Sequence, residues 1–468
     1  MLLSSTAAAQ FRRTPIFNNH YAVEFFQGPL LAPINVEALG GAATAVVDGV
    51  DGASSNAAAV AVREPFSVKW FDTDVEAGIS FPGAFTTMDY DDHGPHSTDQ
   101  VNDFLYADFG VRLQFGELGV AATGELLRYS VVSRGGLDVT AGRYHVLAGY
   151  GFAENQLVVG VGFRAVTMQL SQGSGIVNTL DPAAVNLTMS GLAPEAGFIF
   201  KPNDFPFRVG ATLRGPVNGG NLGSGNTKTD YLGVERSAGF ILPNEITMPW
   251  ELEAGFAVQV GARPLNPAWI NPHDQDAPIK RAVLYARERR AVETVQALEE
   301  TVPSNRADRQ AELARQEAAI QVIEEQRLAQ EEDQLLAQRK ARYANWPREK
   351  ILVLASVLVT GASTNAIALE DFFQQQYEAY GDHLTVSPRV GIEAEPIANY
   401  VKGRIGSYLE PSRFEGIAAR QHFTTGFDIK LFPWDGFGVT KGQVWRLSGA
   451  VDLAPRYTDW GISFGAWH

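Results

Sequence analysis

Ile246-Thr247-Met248-Pro249-Trp250-Glu251-Leu252-Glu253-Ala254-Gly255-Phe256-Ala257-Val258-Gln259-Val260-Gly261 alternates apolar and polar residues along most of its length. Ile246, Met248, Trp250, Leu252, Ala254, Phe256, Val258 and Val260 fall on one face of a strand, and Thr247, Glu251, Glu253, Gln259 and two glycines on the other. A soluble strand of mean length needs about five or six residues, whereas a tilted strand crossing a bilayer needs roughly nine to eleven. A period-two run of this length therefore reads as a membrane strand, with one face in lipid and the other toward a wet lumen.

Similar stretches recur along the chain between turn signals. They run over 66–81, 104–115, 118–132, 137–152, 156–170, 185–200, 207–216, 246–261, 350–361, 384–395, 400–410, 422–431, 444–454 and 459–466. The expected fold is all-β, an antiparallel transmembrane barrel of about fourteen strands; even counts are the rule for single-chain bacterial barrels. The connections agree. Long polar segments follow odd strands (82–103, 171–184, 217–245, 363–383), while Gly116-Glu117, Ala153–Asn155 and Lys201–Pro206 are short links after even ones. This is the asymmetry of long outer loops and short periplasmic turns.

Composition bounds the function. No apolar run approaches the roughly 18 residues of a transmembrane helix; the best, Ile351–Val359, is about half that. A net charge of -15 opposes nucleic-acid binding, which needs a basic surface. Cysteine is absent, which excludes disulfides, thiolate metal sites and a cysteine nucleophile. Gly160-x-Gly162-x-x-Ala165 is followed by strand rather than the helix a dinucleotide fold requires, and Gly461-x-Ser463-x-Gly465 lies too near the chain end for a hydrolase elbow. No catalytic residue, cofactor or resident metal is expected. Asp89, Asp91, Asp92, His93, His96, Asp99 and Asp103 crowd the first long loop, and read as a solvated polar loop rather than a cation site.

Five segments are expected. Residues 1–10 resemble the tail of a secretory leader. Residues 11–65, rich in alanine and glycine, form an N-terminal hatch or plug. Barrel strands one to eight occupy 66–265, and strands nine to fourteen occupy 349–468. Between them, 266–348 is an inserted helical hairpin, with helix over 277–344 broken at Thr301-Val302-Pro303-Ser304-Asn305. Leu284, Ala291 and Leu298, and Leu313, Ile320, Ile323, Leu328 and Leu335, give it a thin apolar stripe. Loop parity places it in the periplasm.

Leu39-Gly40-Gly41-Ala42-Ala43-Thr44-Ala45-Val46-Val47-Asp48 with Ala53-Ser54-Ser55-Asn56-Ala57-Ala58 resembles the hatch of the FadL-type outer-membrane transporters of hydrophobic compounds. Leu242-Pro243 to Gly255, Arg389-Val390-Gly391-Ile392-Glu393 and Arg404-Ile405-Gly406-Ser407-Tyr408 are similar to later strands of that family. The resemblance implies a bacterial outer-membrane location, a plugged fourteen-stranded barrel and passive uptake of fatty-acid-like molecules. The family's Asn-Pro is Asn56-Ala57 here. Gly40, Gly41, Asp48, Asn56 and Ala57 are the hatch candidates, and Phe25 and Phe26 the ligand-pocket candidates. Glu251, Glu253, Arg389, Glu393, Asp428 and Arg446 are the lumen candidates, because a charge turned to lipid costs about 2–4 kcal/mol at the midplane. The expected partners are membrane lipid, a hydrophobic small molecule and, through the hairpin, a periplasmic protein or the cell wall. A competing reading is a structural outer-membrane component of a trans-envelope complex, anchored through that hairpin.

Overall fold

A computed structural model of the chain describes residues 13–25, 27–46, 49–63, 67–83, 88–94, 101–131, 137–172, 185–221, 228–237, 240–347, 349–434 and 443–467. The leader-like segment 1–10, Phe26, Asp48, His96, Asp99 and the side chain of Asp103 lie outside the described residues.

Fourteen antiparallel strands close into a barrel. They are β1 Phe71–Ser80, β2 Val101–Phe115, β3 Leu118–Val131, β4 Leu137–Phe152, β5 Leu157–Gln172, β6 Val185–Phe200 and β7 Phe207–Arg214 continued by Val217–Asn221. Next come β8 Glu245–Met248 continued by Glu251–Val260, β9 Ile351–Thr360, β10 Thr385–Ile397, β11 Val401–Glu410, β12 Arg420–Pro433, β13 Val444–Ala454 and β14 Tyr457–Ala466. Each pairs with its sequence neighbour, and β14 returns to β1 with Gly461 opposite Ser80. Closure leaves no edge strand, which is what a bilayer demands of a sheet. Alternate residues such as Phe109, Val146, Val161, Phe163, Phe256, Val390, Ile405 and Phe464 face outward and are exposed, forming an apolar belt.

The stretch that decides the fold departs from simple alternation. Glu251 to Val260 alternates buried and exposed without a break. Ile246 and Met248 are fully buried, however, although they share parity with the exposed Leu252 and Phe256. Pro249-Trp250 interrupts β8, and Gly215-Pro216 interrupts β7 at the same level, where Arg214 pairs with Glu251 and Val217 with Met248. Each interruption changes the phase of the strand, because proline cannot donate to a ladder and releases the backbone from it. The upper pieces therefore turn Val217, Ile246 and Met248 inward.

The N-terminal segment lies inside the barrel. At the end carrying the long loops, Ala22–Glu24 pairs in parallel with the first piece of β8 and, on its other side, with Ala366–Ile367. The chain then forms the one-turn helix α1, Ile34–Glu37, and a 3-10 turn, Ala57–Ala61, capped by the Asn56 side chain. Between β8 and β9, at the end with short turns, stand α2, Pro272–Glu299, and α3, Arg306–Ala344. Asn271 and Pro272 start α2 earlier than the charged run alone suggests; the Asn271 side chain accepts from the His273 amide. Ion pairs Lys280–Glu332, Arg287–Glu324 and Arg290–Glu317 hold the two helices side by side. No helix among the described residues is long and apolar enough to cross a membrane.

Candidate functional site

The plug is seated on glycine. Starting from Ile34 against Gly461 of β14, the plug chain reaches Ala38 at Gly426, Leu39 at Gly391, Gly40 at Gly406, Thr44 at Gly210, Asn56 at Gly197, Ala57 at Gly160 and Val60 at Gly119. It thus winds around the inner wall from β14 back to β3. At each position a β-carbon on the wall glycine would overlap a plug atom; at Gly391 it would lie 2.7 Å from the Leu39 carbonyl oxygen. Small residues on both sides let the chains approach closely, which accounts for the alanine and glycine of the N-terminal segment. Gly40 and Gly41 take left-handed φ values of 62° and 73°, packing against the Ser407 backbone and the Arg389 side chain.

Asn56 is fully buried and stitches this contact. Its amide donates to the carbonyls of Thr44 (2.9 Å) and Phe198 (3.1 Å), and its oxygen accepts from the Ala58 amide. Arginines on the wall hold the plug backbone elsewhere. Arg214 donates to the Ser54 and Ser55 carbonyls at 2.7 and 2.6 Å, Arg143 to Leu31 at 3.2 Å, and Arg446 to the Asp51 carboxylate.

The charged lumen residues fall into two groups. Glu251, Glu253 and Arg389 line a polar cavity of about 120 Å3 between Gly28–Ala32 of the plug and the wall. There Arg164 pairs with Glu251 at 2.8 Å, and Arg389 with Glu253 at 3.5 Å. Nearer the short turns, Arg404 forks onto Asp428 at 2.7 and 2.8 Å and reaches Glu393 at 2.8 Å, which also takes Lys350. Arg446 joins Asp428 to Asp51 of the N-terminal segment and to Glu76 of β1. These pairs compensate the cost of burying each ion. Arg164 has a further task, donating to the Gly215 and Pro249 carbonyls at 2.8 and 2.9 Å. Both carbonyls lie at the strand interruptions, so the guanidinium replaces hydrogen bonds the ladder lacks.

Toward the long loops the interior becomes apolar. Tyr21, Val23, Phe25 and Leu31 of the plug pack with wall residues Tyr129, Val166, Met168, Met189, Ile246 and Met248 and with loop residues Met88, Phe240 and Phe372. Four of the chain's five methionines meet there. Buried ionic contacts border this apolar cluster on the loop side, with Arg413 forking onto Glu24 at 2.7 and 3.1 Å. Beside it, burial and the neighbouring Glu410 push the Asp92 carboxyl up to about 8, against the opposing pull of Arg420. Asp89 spends its carboxylate on the His93 and Gly94 amides. Among the described residues no group of three or more acids or histidines is arranged to hold a metal ion.

The structure brings Phe25 into the packed apolar cluster, Gly40, Gly41, Asn56 and Ala57 to the contact between the N-terminal segment and the wall, and the six lumen candidates to the two charged groups. Sequence reading passed over Arg143, Arg164, Arg214 and Arg413. The three on strands share inward parity with their neighbours, a signal present in the alternation itself; Arg413 sits in a loop and carries none.

The fold is a closed fourteen-stranded antiparallel barrel. Several solved structures are similar in fold. A CymD monoaromatic hydrocarbon channel matches at TM-score 0.48 and 10% identity, covering 93% of this chain and 96% of that one. The Pseudomonas putida toluene transporter TodX matches at 0.45 and 12%, covering 95% and 98%. A Pseudomonas aeruginosa FadL homologue matches at 0.47 and 8%, covering 94% and 99%. No protein-family model matches the chain, and no curated protein matches its sequence.

Proposed function

We propose that this protein is an outer-membrane channel for passive uptake of hydrophobic, fatty-acid-like small molecules, with the plug as its hatch. The observation that carries the reading is the pairing of a methionine-rich, packed apolar cluster on the loop side with an N-terminal segment seated on glycine beneath it. Methionine is unbranched and polarizable, so a cluster built on it can repack around varied apolar guests. In this reading the long loops face outward and the helices stand in the periplasm. The guest pushes apart cluster side chains such as Phe25 and then meets the ion pairs around Glu251 and Arg164, where an apolar molecule would have to strip charges of their partners. The cheaper exit is sideways, through the wall where Pro194, Pro216 and Pro249 leave the ladder incomplete. Outside that level lies an apolar groove of about 1050 Å3 lined by Val111, Val146, Val161, Phe163, Leu213 and Trp250.

The test is uptake into vesicles or cells of two probes, a fluorescent fatty acid and a small aromatic hydrocarbon. Phe25→Asp is expected to lower entry of whichever probe is cargo, and removal of the plug to raise it. Uptake unchanged by plug removal would count against a hatch. A second reading, a structural component of a trans-envelope complex, is favoured by the exposure of Leu284, Tyr285, Val292 and Val295 on α2. Loss of co-purifying periplasmic partners on deleting the hairpin, with uptake intact, would favour it.

A further inference from the structure

The plug ends at Arg63, which is buried and held from several sides. Its guanidinium donates to the Gly116 carbonyl in the turn between β2 and β3 at 2.5 Å, to the Trp70 carbonyl at 2.7 Å, and to Ser67 at 2.8 Å, and pairs with Asp72 of β1 at 2.9 Å. One face of it is covered by the ring of Trp269, 4.5 Å away. Trp269 stands just before α2, and donates its indole N–H to the Ser67 carbonyl at 3.2 Å. At the second residue of α2, His273 stacks on Trp70 at 4.8 Å and 14°. Arg339 and Tyr343 of α3 border the same crevice as Trp269 and Ser67. The base of the hairpin thus holds Ser67 and Trp70, just before β1, and reaches the N-terminal segment at the Arg63 guanidinium.

Chemistry makes this contact consequential. Burial draws the Arg63 side chain down to about 10, so the carboxylates around it do not fully offset its lost water. A cation over an indole gains most where water is excluded. Lifting the ring would readmit water to the face that Trp269 covers. The amides and carbonyls next to Arg63 would feel it first: the Arg63 amide donates to Asn155 at 2.8 Å, and Asn155 in turn donates to the Ala61 carbonyl at 3.0 Å.

We propose that the base of the helical hairpin is a latch on the plug: Trp269 seated on Arg63 holds the plug's last turn, Ala57–Val62, against the wall, and displacement of the hairpin base releases it. The proposal rests on the reading of the N-terminal segment as a hatch. Hydrogen exchange measured by mass spectrometry on the full chain in lipid nanodiscs tests it, with uptake of the two apolar probes measured in parallel. Trp269→Ala is expected to speed exchange of Ala57–Val62 roughly tenfold, the scale of a lost desolvated cation–π contact, and to leave β3–β6 unchanged. Trp269→Phe, which keeps a ring face, is expected to stay near the parent rate. Trp269→Leu, which fills the space without a ring face, replaces the alanine variant if that one does not insert. Unchanged exchange in Ala57–Val62, or an equal rise across the barrel strands, would overturn the latch. Faster exchange with unaltered uptake would sustain the latch and overturn the hatch reading on which its purpose depends.

Discussion

Alanine at Gly210 isolates the seating of the plug from the stability of the wall. Its β-carbon would stand 2.5 Å from the Thr44 carbonyl oxygen and 3.0 Å from the Ala45 α-carbon, both backbone atoms that cannot swing aside. Ordinary contact begins near 3.4 Å, so the plug has to withdraw by about 0.9 Å, and overpacking of this kind costs about 1–3 kcal/mol. Withdrawal also stretches the 2.9 Å bond from Asn56 to Thr44. The wall gains instead, since alanine is favoured over glycine in a strand by about 0.5–1 kcal/mol. The two effects have opposite signs and can be read separately. Hydrogen exchange of residues 38–46 should accelerate by about 5- to 150-fold, while the melting temperature of the barrel holds or rises. Gly391→Ala should behave alike, its β-carbon meeting the Leu39 carbonyl oxygen at 2.7 Å. Gly403→Ala is the control, because nothing lies within 4 Å of its β-carbon. Exchange in residues 38–46 equal to the parent in both Gly210→Ala and Gly391→Ala would refute the close seating.

Three further outcomes follow from buried charges. Glu24→Leu removes the carboxylate that Arg413 grips and leaves a buried cation, at a cost of about 3–5 kcal/mol, so proteolysis within the loop-side cap should become rapid while the barrel remains folded. Arg164→Met uncovers the Gly215 and Pro249 carbonyls together with Glu251; exchange should rise in β7 and β8 near the interruptions and not in β12 or β13, and a uniform rise would show that the arginine does not brace the breaks. Asp92, facing Glu410, Asp89, Arg420 and His422, has its carboxyl raised from 3.8 to about 8. Its neutral form suits the folded cap, so the stability it supplies is complete below about pH 4 and is lost as pH rises toward 8. Cap protection of residues 88–94 should fall across that window in the parent and vary less in Asp92→Asn.

The barrel was legible because its signal is redundant: fourteen runs of period two, each long enough for a bilayer, with connections whose lengths alternate. What escaped was anything requiring two distant segments at once. The wall glycines Gly119, Gly160 and Gly210 look in sequence like weak points in strands, and acquire their meaning only when Val60, Ala57 and Thr44 are laid against them. Arg164 reads as one more inward charge, yet the carbonyls it braces lie some fifty and eighty-five residues away. Helix between β8 and β9 was expected from composition, but not the contacts of Trp269 with Arg63 and His273 with Trp70, since aromatic contacts across two hundred residues leave no local pattern.

The interruption at Pro249-Trp250 joins these strands of argument. Read as a flaw in an alternating strand, it is neutral; in the structure it reverses the phase of β8 just as Gly215-Pro216 reverses β7. Below the break the inward residues are Glu251 and Glu253, bound into ion pairs that a bilayer-spanning interior must satisfy. Above it the inward residues are Ile246 and Met248, part of the apolar cluster. An unbroken strand of the same composition would have turned Ile246 and Met248 to the outside along with Leu252. The cluster therefore depends on the prolines as much as on the residues that form it. Replacing Pro249 with a residue that restores the ladder, such as valine, should move Met248 outward and thin the cluster; methionine accessibility to oxidation from the lipid side would report the change, and an unaltered pattern would refute this account of how the wall is built.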